Sequence, residues 1–308
     1  MNNTNAAPSQ DKIDAVIRMQ QYISEHIKEQ ITQHQLAKAA EYSEYYAVRI
    51  FKELTGKTPF EYMRKLRLSQ SALVLSDEGL RIIDVALDYV FDSHEGFTRA
   101  FSKEFGITPK IYSKNPKPLK LFMPVNVRDF YLPKERNEVK AMNEAPSAIF
   151  IQIVDRPARK LILKRGKTAN DYFDYCEEVG CDIWDILCNI KEALYEPIGM
   201  WMPQNLRPEG TSFYTQGVEV PLNYSGDIPD GFEVIELPSC KMLIFQGPPY
   251  DDEKFMEAID ELWSQTENYN PEIYGYQWAD EVAPKFQLAP MGYRGYIEGR
   301  PVKPVNKK

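Results

Sequence analysis

Arg49 and Arg99 stand 50 residues apart in two copies of one pattern, and their side chains suit one kind of contact. A planar guanidinium can pair bidentately with guanine in a major groove, discriminating between bases by about 1–3 kcal/mol, or it can hold phosphate. A second group lies in the other half of the chain, where Trp201, Tyr214, Tyr276 and Trp278 occupy strand-like segments together with Glu219 and Glu298. Aromatic faces with one or two carboxylates can hold a cation out of water. Aromatic residues on strands also serve as ordinary core. A glutamate inside an apolar run such as GVEVP is the sharper signal, because burying it without a partner is costly. The same two glutamates could act as an acid–base pair in a hydrolase. Other marks of catalysis are thin: there is no glycine-rich phosphate loop, no nucleophile elbow, no metal-ligand spacing and no histidine after His94. No catalytic residue, metal or cofactor is therefore expected. Cys176, Cys181 and Cys188 fall in one helix-like segment and, with Cys240, read as reduced core thiols; Cys181 and Cys188, on one helix face with Trp184 nearby, fit packing better than catalysis.

The elements that would carry the arginines follow from an internal repeat. Ser43, Arg49, Phe51, Gly56, Thr58, Pro59 and Tyr62 recur as Ser93, Arg99, Phe101, Gly106, Thr108, Pro109 and Tyr112. Each copy reads as a helix opened by a serine cap and closed by glycine, after which Thr-Pro opens another. In the first, Ala47, Ile50, Phe51 and Leu54 form the buried stripe, leaving Tyr45, Val48, Arg49 and Lys52 outward. In the second, Phe97, Ala100 and Phe101 are buried and Glu95, Thr98, Arg99 and Ser102 face outward. A short helix precedes each, over 32–40 and 82–89, and Thr32 with Gln35 fits a capping box. The result is two helix-turn-helix units joined by a long helix over 60–75, with an amphipathic helix over 12–27 covering the first. Glu41 and Val90 occupy the two turns and are expected to keep a negative φ. Lys52, Arg64, Lys65 and Arg67 are either phosphate contacts or solvated charges, and Glu53 is placed to pair with Arg49.

Prolines at 116, 118, 124, 133 and 146 interrupt the next stretch, which reads as a connector with one strand in KLFMPVNVRDF. Beyond it a second duplication appears: IVDRPARKLILKRG aligns with VIELPSCKMLIFQG, each two strands around a proline turn. Each is followed by a helix, over 171–194 and 251–267, and by further strands, IGMWMP corresponding to YGYQWA. The fold class is therefore multi-domain: an all-α double helix-turn-helix domain plus an α+β domain built as a duplicated strand-helix-strand-strand unit with pseudo-twofold symmetry and a cleft between its halves. The expected divisions are a disordered tail at 1–10, the first domain at 11–115, a linker at 116–147 and the second domain at 148–308.

Charge divides along the same line. Residues 1–118 hold 16 Lys and Arg against 15 Asp and Glu, and residues 119–308 hold 21 against 30, so the net charge of −8 is +1 and −9 in the two parts. A near-neutral first part can still bind nucleic acid where its basic side chains share a face. No apolar run is long enough to span a membrane and no signal peptide is present at the start, so a cytoplasmic location is expected.

Residues 31–112, in YSEYYAVRIFKELTGKTPFEYMRKLRL and FDSHEGFTRAFSKEFGITPKIY, resemble the DNA-binding domain of the AraC/XylS transcriptional regulators. The resemblance implies two recognition helices entering successive major grooves, with DNA contacts from Tyr45, Val48 and Arg49 and from His94, Glu95, Thr98 and Arg99. Residues 148–305, in GMWMP, YGYQWA and RGYIEGRPV, resemble gyrase-inhibitor-like effector-binding domains. That resemblance implies a cleft for lipophilic, frequently cationic compounds, walled by aromatic rings and one acidic residue. Family members place a glutamate four residues before a Pro-Val pair; here Ile297 holds that place and Glu298 follows it. The expectation is a DNA-binding regulator whose partners are double-stranded DNA, a small-molecule effector and RNA polymerase. In the alternatives, the second domain is a protein-interaction module or a hydrolase.

Overall fold

Side-chain caps set where the helices of the N-terminal region begin. In the computed structural model, which describes residues 8–76, 80–125, 127–131, 149–267 and 269–305, that region contains α1 (Gln10–Glu25), α2 (Gln33–Ala40), α3 (Glu44–Thr55), α4 (Pro59–Leu75), α5 (Ile82–Asp88), α6 (His94–Phe105) and α7 (Pro109–Lys114). Thr32 with Gln35 and Thr58 with Glu61 form reciprocal capping boxes, and Ser43, Ser93 and Thr108 accept from the backbone N–H of Tyr46, Gly96 and Ile111. Each such cap stabilises its helix start by about 1 kcal/mol. At the other ends of α3 and α6, Gly56 and Gly106 adopt φ of 72° and 70°, which a side chain would strain. The stripes read from the sequence are inside: Ala47, Ile50, Phe51 and Leu54, Phe97, Ala100 and Phe101, and Val16, Met19, Ile23 and Ile27 are all buried.

The turns after α2 and α5 differ from expectation. Glu41 and Val90 have φ of 60° and 61°, in the left-handed region rather than at negative φ. The hydrogen bonds explain it: Tyr42 N–H reaches the Ala37 carbonyl at 3.1 Å and Phe91 N–H reaches that of Ala86 at 2.9 Å, a closure that requires a left-handed residue at the turn. For a residue with a Cβ this costs about 1–2 kcal/mol. Arg67, expected to be a phosphate contact or a solvated charge, is structural, and so is Arg18. Arg67 donates to the carbonyls of Ile27 and Glu29 in the turn after α1, and Arg18 to those of Ala39 and Ala40, which the end of α2 leaves open.

The chain divides into two units, Met1–Phe150 with Trp263–Tyr269 and Ile151–Leu262 with Asn270–Lys308. Residues 1–7 of the expected tail lie outside the described residues, and α1 has already begun at Gln10. Of the expected connector, 126 and 132–147 also lie outside them; its described part holds a two-residue strand, β1 (Leu121–Phe122), and a short helix, α8 (Val127–Tyr131), where a single strand was expected.

From residue 150 on the chain carries β2 (Phe150–Arg156), β3 (Arg159–Arg165), α9 (Tyr172–Glu178), α10 (Ile183–Cys188), β4 (Ile198–Trp201), β5 (Tyr214–Pro221), β6 (Glu233–Leu237), β7 (Cys240–Gln246), α11 (Phe255–Thr266), β8 (Tyr276–Trp278), β9 (Lys285–Gln287) and β10 (Ile297–Pro304). The strands run β2-β7-β10-β9-β4-β5-β3-β6, with β8 also on β10. One face packs Leu161, Leu163, Met200 and Phe286; the other packs Ile162, Tyr214, Val218 and Val220 under Tyr175, Ile183 and Leu187 of α9 and α10. The single helix expected over 171–194 is broken, because Gly180 at φ 116° turns the chain between α9 and α10. Cys181 consequently lies in a turn, Cys181 and Cys188 are exposed, and Cys176 and Cys240 are half-buried, so the thiols are not the core residues expected.

Candidate functional site

The first candidate surface is built on α3 and α6, two helices of 12 residues with matching caps. Arg49 and Arg99 are exposed, and among the described residues neither guanidinium is held in an ion pair. Glu53 pairs with Lys12 at 2.9 Å and not with Arg49, so the expected intrahelical pair does not form. Arg49 instead lies over the Tyr46 ring, 4.9 Å from its centroid, which aligns the guanidinium without neutralising it. Sequence reasoning missed Tyr46; its i, i+3 spacing from Arg49 was the available signal. Tyr45 is 78% exposed, and Lys52, His94 and Glu95 are exposed too, whereas Val48 is half-buried. Thr98 departs from the outward face: it is half-buried, and its hydroxyl is shut off from solvent with no hydrogen-bond partner among the described residues. Arg64 is exposed, while Lys65 is tied to Glu104 and Arg67 to carbonyls of the turn after α1.

On the second unit, strand register decides which predicted residues can meet. Trp201 is opposite both Tyr214 and Lys285, and Glu298 is opposite Gln287. Directly opposed residues share a face and alternate residues change it. Tyr214, Trp201, Lys285, Gln287 and Glu298 are therefore on one face, and Trp278, opposite Val302, joins it with Tyr276, opposite Pro304. Glu219 is five residues from Tyr214 along β5 and points to the other face, so the two predicted glutamates lie on opposite sides of the sheet.

Their partners differ accordingly. Glu219, 4% exposed, is clasped by Arg156 and Arg159, each at 2.7 Å. Arg156 also stacks 3.5 Å from the Tyr195 ring centroid, and Arg159 donates to the Pro157 and Pro238 carbonyls. Glu298, 1% exposed, meets Lys285 Nζ at 2.9 Å and the Tyr296 hydroxyl at 3.1 Å. The Tyr296 hydroxyl is also 2.8 Å from Gln287 Oε1, and Gln287 Nε2 donates to the Tyr214 hydroxyl at 3.1 Å. A polar chain thus crosses from β10 to β5. Burial holds the Tyr214 phenol far above the ordinary phenol range, so it stays protonated. Its ring meets Trp201 edge-on at 5.5 Å, and its hydroxyl lies where a Cβ on Gly199 would be, only 2.0 Å away. Lys285, Gln287 and Tyr296 were not singled out from the sequence; only register shows that they join Glu298. Among the described residues no group of three His, Cys, Asp or Glu side chains could hold a metal ion, and no helix is long and apolar enough to cross a membrane.

Residues 36–115 match the family model described as a helix-turn-helix domain. The chain is 27% identical over 260 residues to the Right origin-binding protein of Escherichia coli (strain K12), covering 82% of this chain and 81% of that one. It is 30% identical over 91 residues to the HTH-type transcriptional activator AarP of Providencia stuartii, covering 30% of this chain and 67% of that one. Among solved structures, the DNA-binding domain of AdpA in complex with a target DNA is similar at a TM-score of 0.31 and 26% identity, over 33% of this chain and 91% of that one.

Proposed function

This chain belongs to the AraC family of transcriptional regulators, and from that premise we propose that it is a one-component regulator, joining DNA recognition by α3 and α6 to ligand sensing by the second unit. The observation that carries the reading is the pair of cap-matched helices whose exposed arginines form no ion pair among the described residues. Arg49 and Arg99 read base edges in neighbouring major grooves, Tyr45, Val48, His94, Glu95 and Thr98 flank them, and Lys52 meets phosphate. The DNA-binding domain spans 11–115 and the sensing domain 148–308, with 116–147 linking them. The sensing domain is a duplicated strand-helix-strand-strand unit with pseudo-twofold symmetry. A lipophilic small molecule binds between its halves, against Trp201, Tyr214, Tyr276, Trp278 and the side chains around Glu298. Occupancy changes DNA affinity or RNA polymerase recruitment. The buried pairing of Glu219 with two arginines favours a structural role for it over the acid–base role a hydrolase would need.

The test is selection and sequencing of the DNA retained by the purified protein, followed by gel-shift titration of that site with Arg49→Ala and Arg99→Ala. Each substitution is expected to weaken specific binding, and unchanged affinity in both would overturn the assignment of the recognition helices.

A further inference from the structure

Two loops of the second unit enclose a cavity of about 580 Å³, a volume within the range of small-molecule sites. One wall is the loop that follows β3, with Lys167 and Asn170; the other is the connection between β4 and β5, with Gln204, Arg207, Glu209 and Phe213. Both walls are fixed by the fold. The Gly166 N–H donates to the Ser212 hydroxyl at 3.0 Å, the Ser212 N–H to the Gly166 carbonyl at 2.9 Å and the Tyr214 N–H to the Ala169 carbonyl at 3.0 Å, which ties the loops together. The Glu178 carboxylate accepts from the N–H groups of Lys167, Thr168 and Ala169 and holds the first loop a second time. The lining hydroxyls belong to the same scaffold: Thr168 donates to Glu178 at 3.0 Å, Thr211 to the Pro208 carbonyl at 2.7 Å and Ser212 to the Tyr214 carbonyl at 2.6 Å.

The longer side chains are in the opposite state. Among the described residues, Lys167, Arg207 and Glu209 form no ion pair, and the side-chain amides of Asn170 and Gln204 meet no hydrogen-bond partner. The Arg207 guanidinium lies 5.5 Å from the Phe213 ring centroid, which orients its fork without neutralising it. Lys167 and Arg207 against Glu209 leave the lining with one net positive charge. A lipophilic compound would cover these polar groups without replacing their hydrogen bonds to water, and so lose affinity. A hydroxylated anion can satisfy them all: the ammonium and the guanidinium fork make charge-assisted bonds to its acid group, while the two amides and Glu209 pair with its hydroxyls.

We propose that this cavity is a second ligand site, for a small hydroxylated metabolite bearing a phosphate or carboxylate group. None of Trp201, Tyr214, Tyr276, Trp278 and Glu298 lines it, so the inference stands apart from the aromatic cleft and either can fail alone. The test is an NMR titration of the isotope-labelled full chain, read at its backbone amides, with glucose 6-phosphate, glucuronate and neutral glucose. Glucose 6-phosphate, glucuronate or both are expected to shift the amides of Lys167, Thr168, Thr211 and Phe213 saturably, at least about tenfold more tightly than glucose, and the tighter of the two identifies the acid group. Lys167→Gln, at an exposed side chain, is expected to lose at least about threefold of that advantage, and Lys167→Gln with Arg207→Gln all of it, with the other amides of the spectrum unmoved. Glu209→Gln is expected to tighten the acid by about threefold. Glucose bound as tightly as both acids, or an advantage that survives Lys167→Gln, overturns the charge assignment. No saturable shift of these amides with any of the three compounds overturns the site.

Discussion

The same residue type is used in opposite ways in the two units. Among the described residues, Arg49 and Arg99 project from α3 and α6 with no carboxylate to hold them, and Arg49 lies over the Tyr46 ring. In the second unit, Arg156 and Arg159 close on Glu219, Arg300 closes on Asp280 and Arg294 on Glu196. A guanidinium without an internal partner keeps its fork for an external one, whereas a paired guanidinium has already spent that geometry on the fold. The number of arginines therefore says less about nucleic-acid binding than how many of them are left unpaired.

The sharpest way to break this comparison is to remove a paired cation. Arg159→Met is expected to leave Glu219 partly unneutralised in the interior and to destabilise the second unit by about 3–5 kcal/mol, read as a lower urea midpoint by tryptophan fluorescence. A loss below about 1 kcal/mol would put Arg159 with the surface pairs. Next in size is the unpaired class. Arg49→Lys keeps the charge but not the fork, and is expected to cost about 1–3 kcal/mol at a specific site while binding to random DNA changes little, both read by gel shift. Smaller still is the turn after α2, where Glu41→Gly relieves a left-handed backbone and is expected to raise stability by roughly 1 kcal/mol, seen in thermal unfolding of the first unit.

The smallest effect is on the acid limb of stability. Glu178 accepts from the N–H groups of Lys167, Thr168 and Ala169, and those hydrogen bonds hold its carboxyl below the usual range. Its folded value is depressed, so its contribution is fully present above the unfolded value and is lost as pH falls through the folded one. Glu178 is exposed, and Glu178→Gln is expected to flatten the acid side of the stability–pH curve by no more than about 1 kcal/mol.

The helical unit was legible because its signals are local. A cap, a stripe and a closing glycine are gathered on and just beside one 12-residue helix, and the 50-residue repeat stated the same pattern twice. Glu41 and Val90 were misread because hydrogen bonds from the following residues, not the side chains themselves, force the left-handed turn. The sheet was legible in its strands but not in its faces. Glu219 and Glu298 look equivalent in the sequence, each inside a late apolar strand. Their separation to opposite sides depends on register carried through β5, β4, β9 and β10, where one residue of slip inverts the answer. Lys285 and Tyr296 gave no signal because nothing near them in sequence marks their partners. The broken helix near Cys181 turned on the φ of Gly180 alone.

Gly199 carries a consequence out of proportion to its size. The Tyr214 phenol rests across its Cα, and that hydroxyl receives the amide of Gln287, which in turn meets Tyr296. Even the single methyl of Gly199→Ala would evict the phenol, and the chain of contacts as far as Glu298 would lose its anchor. A bare α-carbon thus acts as the keystone through which a disturbance on one central strand is felt two strands away.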